Sequence, residues 1–201
     1  MRHTLQDEAN GIAAFIVALW LVYFVDIVVP IDFTQYGLQP RSFVGLIGVP
    51  LMPFLHAGLG HLLSNTIPLA LLLALLAGSR ARSWQVVIEI VFIGGLFLWL
   101  FGRSNATHVG ASGLVYGLIA FLIASGYFER RLVPLAIAAL VLFLYGGTLL
   151  FGVFPQVNQH ISWDGHLFGA LAGVAVAYVH TRNNSETSSV EQMSRNAQDV
   201  G

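Results

Sequence analysis

The chain has 201 residues, 56% of them hydrophobic and 9% charged, with a net charge of −1 and a mean hydropathy of +0.75. Soluble domains carry about 25% charged residues, so this composition excludes an ordinary soluble domain, and the near-zero net charge gives no reason to expect nucleic acid or another polyanion as partner. There is no cysteine, which removes disulfides, thiol nucleophiles and cysteine metal sites.

A helix needs about 20 apolar residues to cross the hydrocarbon core, and the chain contains six runs near that length. Residues 1–10 are polar, and the first run, 11–29, is long enough to span, so no cleavable signal peptide is expected. Pro30 closes that run. The loop that follows, 30–59, is the longest, with Pro40, Pro50, Pro53, Gly37, Gly45, Gly48 and Gly58 along it. Its apolar part, 43–55, is too broken to span. It reads equally well as short helices in the membrane interface or as a loose connector. The second run covers 60–77, the third 84–101, the fourth 112–127, the fifth 132–151 and the sixth 163–180. The fourth and sixth are slightly short and open on polar residues, as a site below the membrane surface requires. Residues 181–201 are polar, rich in Ser and Asn, and expected to be a disordered tail. The expected fold is an all-α membrane protein, a six-transmembrane-helix bundle over 1–180 followed by that tail.

All nine basic residues are arginines. Arg2, Arg80, Arg82, Arg130, Arg131, Arg182 and Arg195 fall on one side of the six runs, and Arg41 and Arg103 on the other. The positive-inside rule then puts both termini in the cytoplasm. The second, fourth and sixth runs all enter from the outer face, so His61 with Asn65, Ser112, and His166 begin at similar depth on one side.

That convergence carries the chemistry. Ser112 sits among small residues in Gly110-Ala111-Ser112-Gly113. A serine becomes a nucleophile only beside a base, and His166, in Trp163-Asp164-Gly165-His166, is the candidate. His3 and His180 are expected in the cytoplasm, His108 and His160 solvated in outer loops, and His56 bracing the long loop. His61 and Asn65, four apart, share a helical face. They serve either as interhelical hydrogen-bonding groups or as donors to the oxyanion of acyl transfer, where fixed N–H groups are often the largest catalytic term. The Ser112 backbone N–H, at a helix start, adds a donor. Gly113 and Gly117 in the fourth run, and Gly169 and Gly173 in the sixth, give small-xxx-small patterns that let membrane helices approach closely. Tyr116 lies one turn below Ser112, placed to pack on the imidazole. Asp164, two residues before His166, projects from another helical face and is given a minor role. Glu89 reads as a polar contact near the cytoplasmic face, and Asn105-Ala106-Thr107 matches a glycosylation triplet that arises often by chance. A metalloprotease His-Glu-x-x-His motif is absent, and Asp26 and Asp164 sit in contexts unsuited to an aspartyl protease.

Taken together, Gly110-Ala111-Ser112-Gly113 with Tyr116, His56 with His61 and Asn65, and His166 with Gly169 and Gly173 resemble the rhomboid intramembrane serine proteases over about residues 10–180. The resemblance implies a Ser112–His166 dyad without a carboxylate, an oxyanion hole from His61 and Asn65, and no metal or cofactor. It also implies transmembrane segments of other proteins as substrates, cut near the outer face among membrane lipids, with the fifth run and the loop after it as a gate. Many members carry a Trp-Arg pair in the first outer loop, where this chain has Pro40-Arg41. A rhomboid-like protein that binds clients without cutting them is the alternative, although such relatives typically lack part of the dyad. A transporter would call for an inverted repeat or a ring of buried charge, and neither is read. A bare core without a transit peptide fits a prokaryotic plasma membrane. Oligomeric state is left open.

Overall fold

Helix α5, residues Ser112–Glu129, stands at the centre of the structure. In this computed structural model, which describes residues 5–79, 82–155 and 162–198, with side chains to residue 183, its span is 72% buried. A helix apolar all round belongs in a core, and consecutive residues from Leu114 to Leu122 of α5 are buried on every face. Around it stand α1 (Leu5–Val28), α3 (Leu59–Ser79), α4 (Ser83–Phe101), α6 (Leu132–Gly152) and α7 (Trp163–Gln198). The spans of α1 and α6 are only 6% and 11% buried, so these two lie at the rim with apolar faces turned outward. No strand occurs among the described residues; an isolated bridge pairs Leu38 with His108.

The boundaries follow local chemistry. Pro30 disfavours helical backbone in the residue before it, and α1 ends at Val28. Pro134 falls in the first turn of α6, where a missing N–H costs nothing. Pro68 lies inside α3 and leaves the Ser64 carbonyl without its helical donor. Five helices, α1, α3, α4, α5 and α6, are long and apolar enough to cross a membrane. The sixth run expected from sequence is the first half of α7, where Asp164, His166 and His180 dilute the apolar residues.

Two expectations need correction. The disordered tail expected from residue 181 instead continues α7 as helix to Gln198. Between Gly173 and Gly201 there is neither glycine nor proline, and extending an existing helix is far easier than starting one. The second concerns His108, expected to be solvated: it is 2% exposed. Its backbone pairs with Leu38 at 2.8 and 2.9 Å, and its Nδ1 lies 2.6 Å from Ser162 Oγ, so three connecting segments close over it. Arg2, His3, Arg80 and His160 lie outside the described residues.

The long first loop is built of short helical turns, Val44–Ile47, α2 (Gly48–Leu51) and Met52–Phe54. Buried Val49 and Met52 join it to Leu98 of α4. Arg41 donates from its backbone N–H to Trp99 O at 2.9 Å and from its guanidinium to Leu100 O at 3.1 Å. The Trp99 indole donates back to Ser42 O at 2.8 Å. A tryptophan from α4 thus meets the loop that lacks its own. At the far end of the bundle, Ser83 Oγ donates to buried Glu8 at 2.5 Å, and His180 pairs with Glu89 at 2.7 Å. These bonds tie α1 and α7 to α4.

Candidate active site

Three helices deliver their first turns to one place. Ser112 is the first residue of α5, and His166 lies in the first turn of α7. Ser112 Oγ is 2.9 Å from His166 Nε2. The Tyr116 ring stacks on the imidazole, with centroids 4.0 Å apart and planes 3° from parallel. Tyr116 Oη donates to the Thr148 carbonyl of α6 at 3.0 Å. The other imidazole nitrogen, Nδ1, is 3.0 Å from the carbonyl oxygen of Gly152.

Backbone packing sets this meeting. A Cβ on Gly169 would overlap the Gly113 carbonyl, and one on Gly173 would overlap the Gly117 carbonyl. Helices α5 and α7 therefore touch main chain to main chain, two turns deep. Helix association in lipid relies on such close packing rather than on exclusion of water.

Helix α3 supplies His61 and Asn65, both lining the cavity above Ser112 and His166. Asn65 is buried, and its Nδ2 has no hydrogen-bond partner. A buried amide donor without a partner is costly, so a donor held this way is poised for something that enters. Gly110 makes room for the pair. Its φ of +105° favours glycine, and a Cβ there would lie 2.5 Å from His61 Cε1 and 3.4 Å from Asn65 Nδ2. Its N–H donates to Met52 O at 2.9 Å, pinning the turn before Ser112 to the first loop. His56 contacts His61 edge to face at 5.1 Å, and its Nδ1 is 3.3 Å from Phe54 O. Burial, with His61 nearby, pushes the His56 pKa down to about 4, so it stays neutral as a brace. Burial likewise lowers the pKa of His108.

The cavity measures about 780 Å³ and is lined from α3, α5, α6 and α7. Ser64, Thr107, Tyr145, Thr148 and Ser162 add hydroxyls to its wall. Asp164 does not face His166 as a triad member. Its carboxylate accepts the Arg103 backbone N–H at 3.0 Å and two guanidinium bonds at 3.2 and 3.0 Å. Every site residue read from the sequence lies at this site or on the α5–α7 contact beneath it. Arg103, His108, Ser162, Thr148 and Gly152 were not assigned site roles from sequence. Arg103 carried a signal, as one of the two arginines set apart from the other seven by the charge count, with Asp164 the acid nearest His166 in sequence. Thr148 and Gly152 act through backbone carbonyls, which leave no trace in sequence.

Residues 40–183 match the Rhomboid domain model. An uncharacterized protein of Mycobacterium tuberculosis is 42% identical over 177 residues, 84% of this chain and 73% of the relative. An uncharacterized protein of Mycobacterium leprae is 36% identical over 190 residues, 90% of this chain and 74% of the relative. Rhomboid-related protein 1 of Caenorhabditis elegans is 31% identical over 134 residues, 63% of this chain and 37% of its own length.

Proposed function

The chain belongs to the rhomboid family, and on that premise we propose that it is an intramembrane serine protease with Ser112 as nucleophile and His166 as base. The observation that carries the reading is the 2.9 Å contact between Ser112 Oγ and His166 Nε2 on the floor of a cavity that also holds an unpartnered Asn65 donor. In the first step His166 Nε2 takes the Ser112 proton as Oγ attacks the scissile carbonyl. The carbonyl oxygen becomes an oxyanion, held by Asn65 Nδ2, the His61 imidazole and the Ser112 backbone N–H. His166 then returns the proton to the leaving amine, and water releases the acyl group from Ser112 by the same steps reversed.

The substrates are transmembrane segments of other proteins, cut toward the face where α3, α5 and α7 begin. We assign α7 as the sixth span, both termini to the cytoplasm and the protein to a prokaryotic plasma membrane. Reaction of purified protein with a fluorophosphonate tests the nucleophile. Labelling is expected on Ser112 and lost in Ser112→Ala. A folded wild type that neither labels nor cleaves a reconstituted transmembrane substrate would favour the client-binding alternative instead.

A further inference from the structure

Among the described residues no carboxylate stands behind the base, because Asp164 is engaged by Arg103. What stands there is main chain. His166 Nδ1 is 3.0 Å from the Gly152 carbonyl oxygen. A carbonyl oxygen only accepts, so Nδ1 carries the proton of the neutral ring, and the Nε2 lone pair is left facing Ser112. Gly152 is the last residue of α6. Its carbonyl is one of the four that a helix leaves unpaired, at the negative end of the helix dipole.

We propose that the C-terminal turn of α6, through the Gly152 carbonyl, serves as the third member of the catalytic group, holding the His166 tautomer and stabilising the imidazolium that forms when Ser112 attacks. This rests on the protease reading of Ser112 and His166. In a Ser-His-Asp triad the buried carboxylate has the same two tasks. A second contact fixes the same turn independently. Tyr116 stacks on the imidazole face and donates to the Thr148 carbonyl, four residues before Gly152. The carbonyl holds the ring edge while the tyrosine holds its face. The identity of residue 152 follows, since a Cβ there would overlap Tyr116 Oη. Gly152 and Thr148 are positioning residues acting through their backbones. Elsewhere α6 packs on α5 through Ala138 against Gly126, and its other fully buried side chain is Val141. The helix that walls the cavity therefore also orients the base, and displacing its end disables the dyad.

Replacing Val153 by its α-hydroxy acid turns the Gly152 carbonyl into an ester carbonyl, a poorer acceptor, with every side chain kept. The α-hydroxy acid at Phe154 is the control, because it alters the Val153 carbonyl and leaves the Gly152 carbonyl an amide. The full-length protein, ¹⁵N-labelled at histidine, is studied in detergent at a pH where His166 is neutral. Nitrogen shifts report the tautomer, and fluorophosphonate labelling reports the reactivity of Ser112. Wild type and control should hold His166 as the Nδ1–H form. The Val153 ester should show a mixture of tautomers and label about tenfold more slowly, the factor carried by one weakened hydrogen bond. An Nε2–H tautomer in wild type would overturn the proposal even if the esters fold poorly. So would a Val153 ester with unchanged tautomer and rate. A wild type holding Nδ1–H yet inert to the probe would sink the protease reading, and with it the catalytic role, while showing the carbonyl bond intact.

Discussion

Ser112 and His166 are separated by 54 residues of sequence and meet through one hydrogen bond. Under the proposed mechanism, Ser112→Ala and His166→Ala should each abolish cleavage of a reconstituted substrate while thermal unfolding in detergent stays near wild type. Protonation of Nε2 removes the lone pair that accepts the serine proton, so activity should fall on acidification. His56, pushed down to about 4, stays neutral above that. His61 also lines the cavity, so the acid limb must be measured again in His61→Ala, where it should persist. A limb that disappears with His61 would move the titration away from the base. Asn65→Ala and His61→Ala should slow cleavage without ending it. Removing one oxyanion donor costs about 10²–10³ in soluble proteases, and here the Ser112 N–H and the other side chain remain. Wild-type rates in the double variant would make the pair structural.

At the scale of elements, the α5–α7 contact decides whether those residues meet at all. Gly169→Ala places a methyl on the Gly113 carbonyl, and main chain has no rotamer to yield. The helices must part, and a misplacement near 1 Å can cost about 10²-fold in rate. Gly117 faces α7 as well, with Gly169 O 3.0 Å from its Cβ position and the Ile90 methyl overlapping it. Gly117→Ala should therefore be milder than Gly169→Ala, since Ile90 is a side chain, and Gly117→Leu should be severe. Rates at matched amounts of folded protein check the order, and equal activity in Gly169→Ala and wild type would show that the contact does not set the dyad. This contact was legible in the sequence, because glycines four apart are a packing pattern in their own right. The covering of the dyad by α6 was not, because Thr148 and Gly152 contribute carbonyl groups that every residue possesses. The burial of His108 was hidden for a related reason: its partners Leu38 and Ser162 come from distant loops that hydropathy cannot pair.

For the molecule as a whole, five apolar helices and rhomboid membership make this a multi-pass integral membrane protein. Hydropathy alone located every long helix to within a few residues at most ends, since a span is a requirement on composition. It misplaced the end of α7, where the chain turns polar without any residue that stops a helix. Orientation came from arginine counting and is open to direct test. The chain has no cysteine, so a single cysteine at exposed Gln35 should label from outside intact cells and one at Ser185 should not. The reverse pattern would invert the topology. The cavity over the dyad bears on supply. One water needs about 10–15 Å³, so 780 Å³ edged with hydroxyls has room for tens of them beside a bilayer interior that has almost none. Under the protease reading water is the second substrate of hydrolysis, and this cavity gives it room beside half-buried Ser112. Release of the acyl group would then answer to the activity of water in that cavity. Osmolytes that withdraw it should slow turnover of a peptide substrate while leaving the fluorophosphonate reaction, which consumes no water, unchanged.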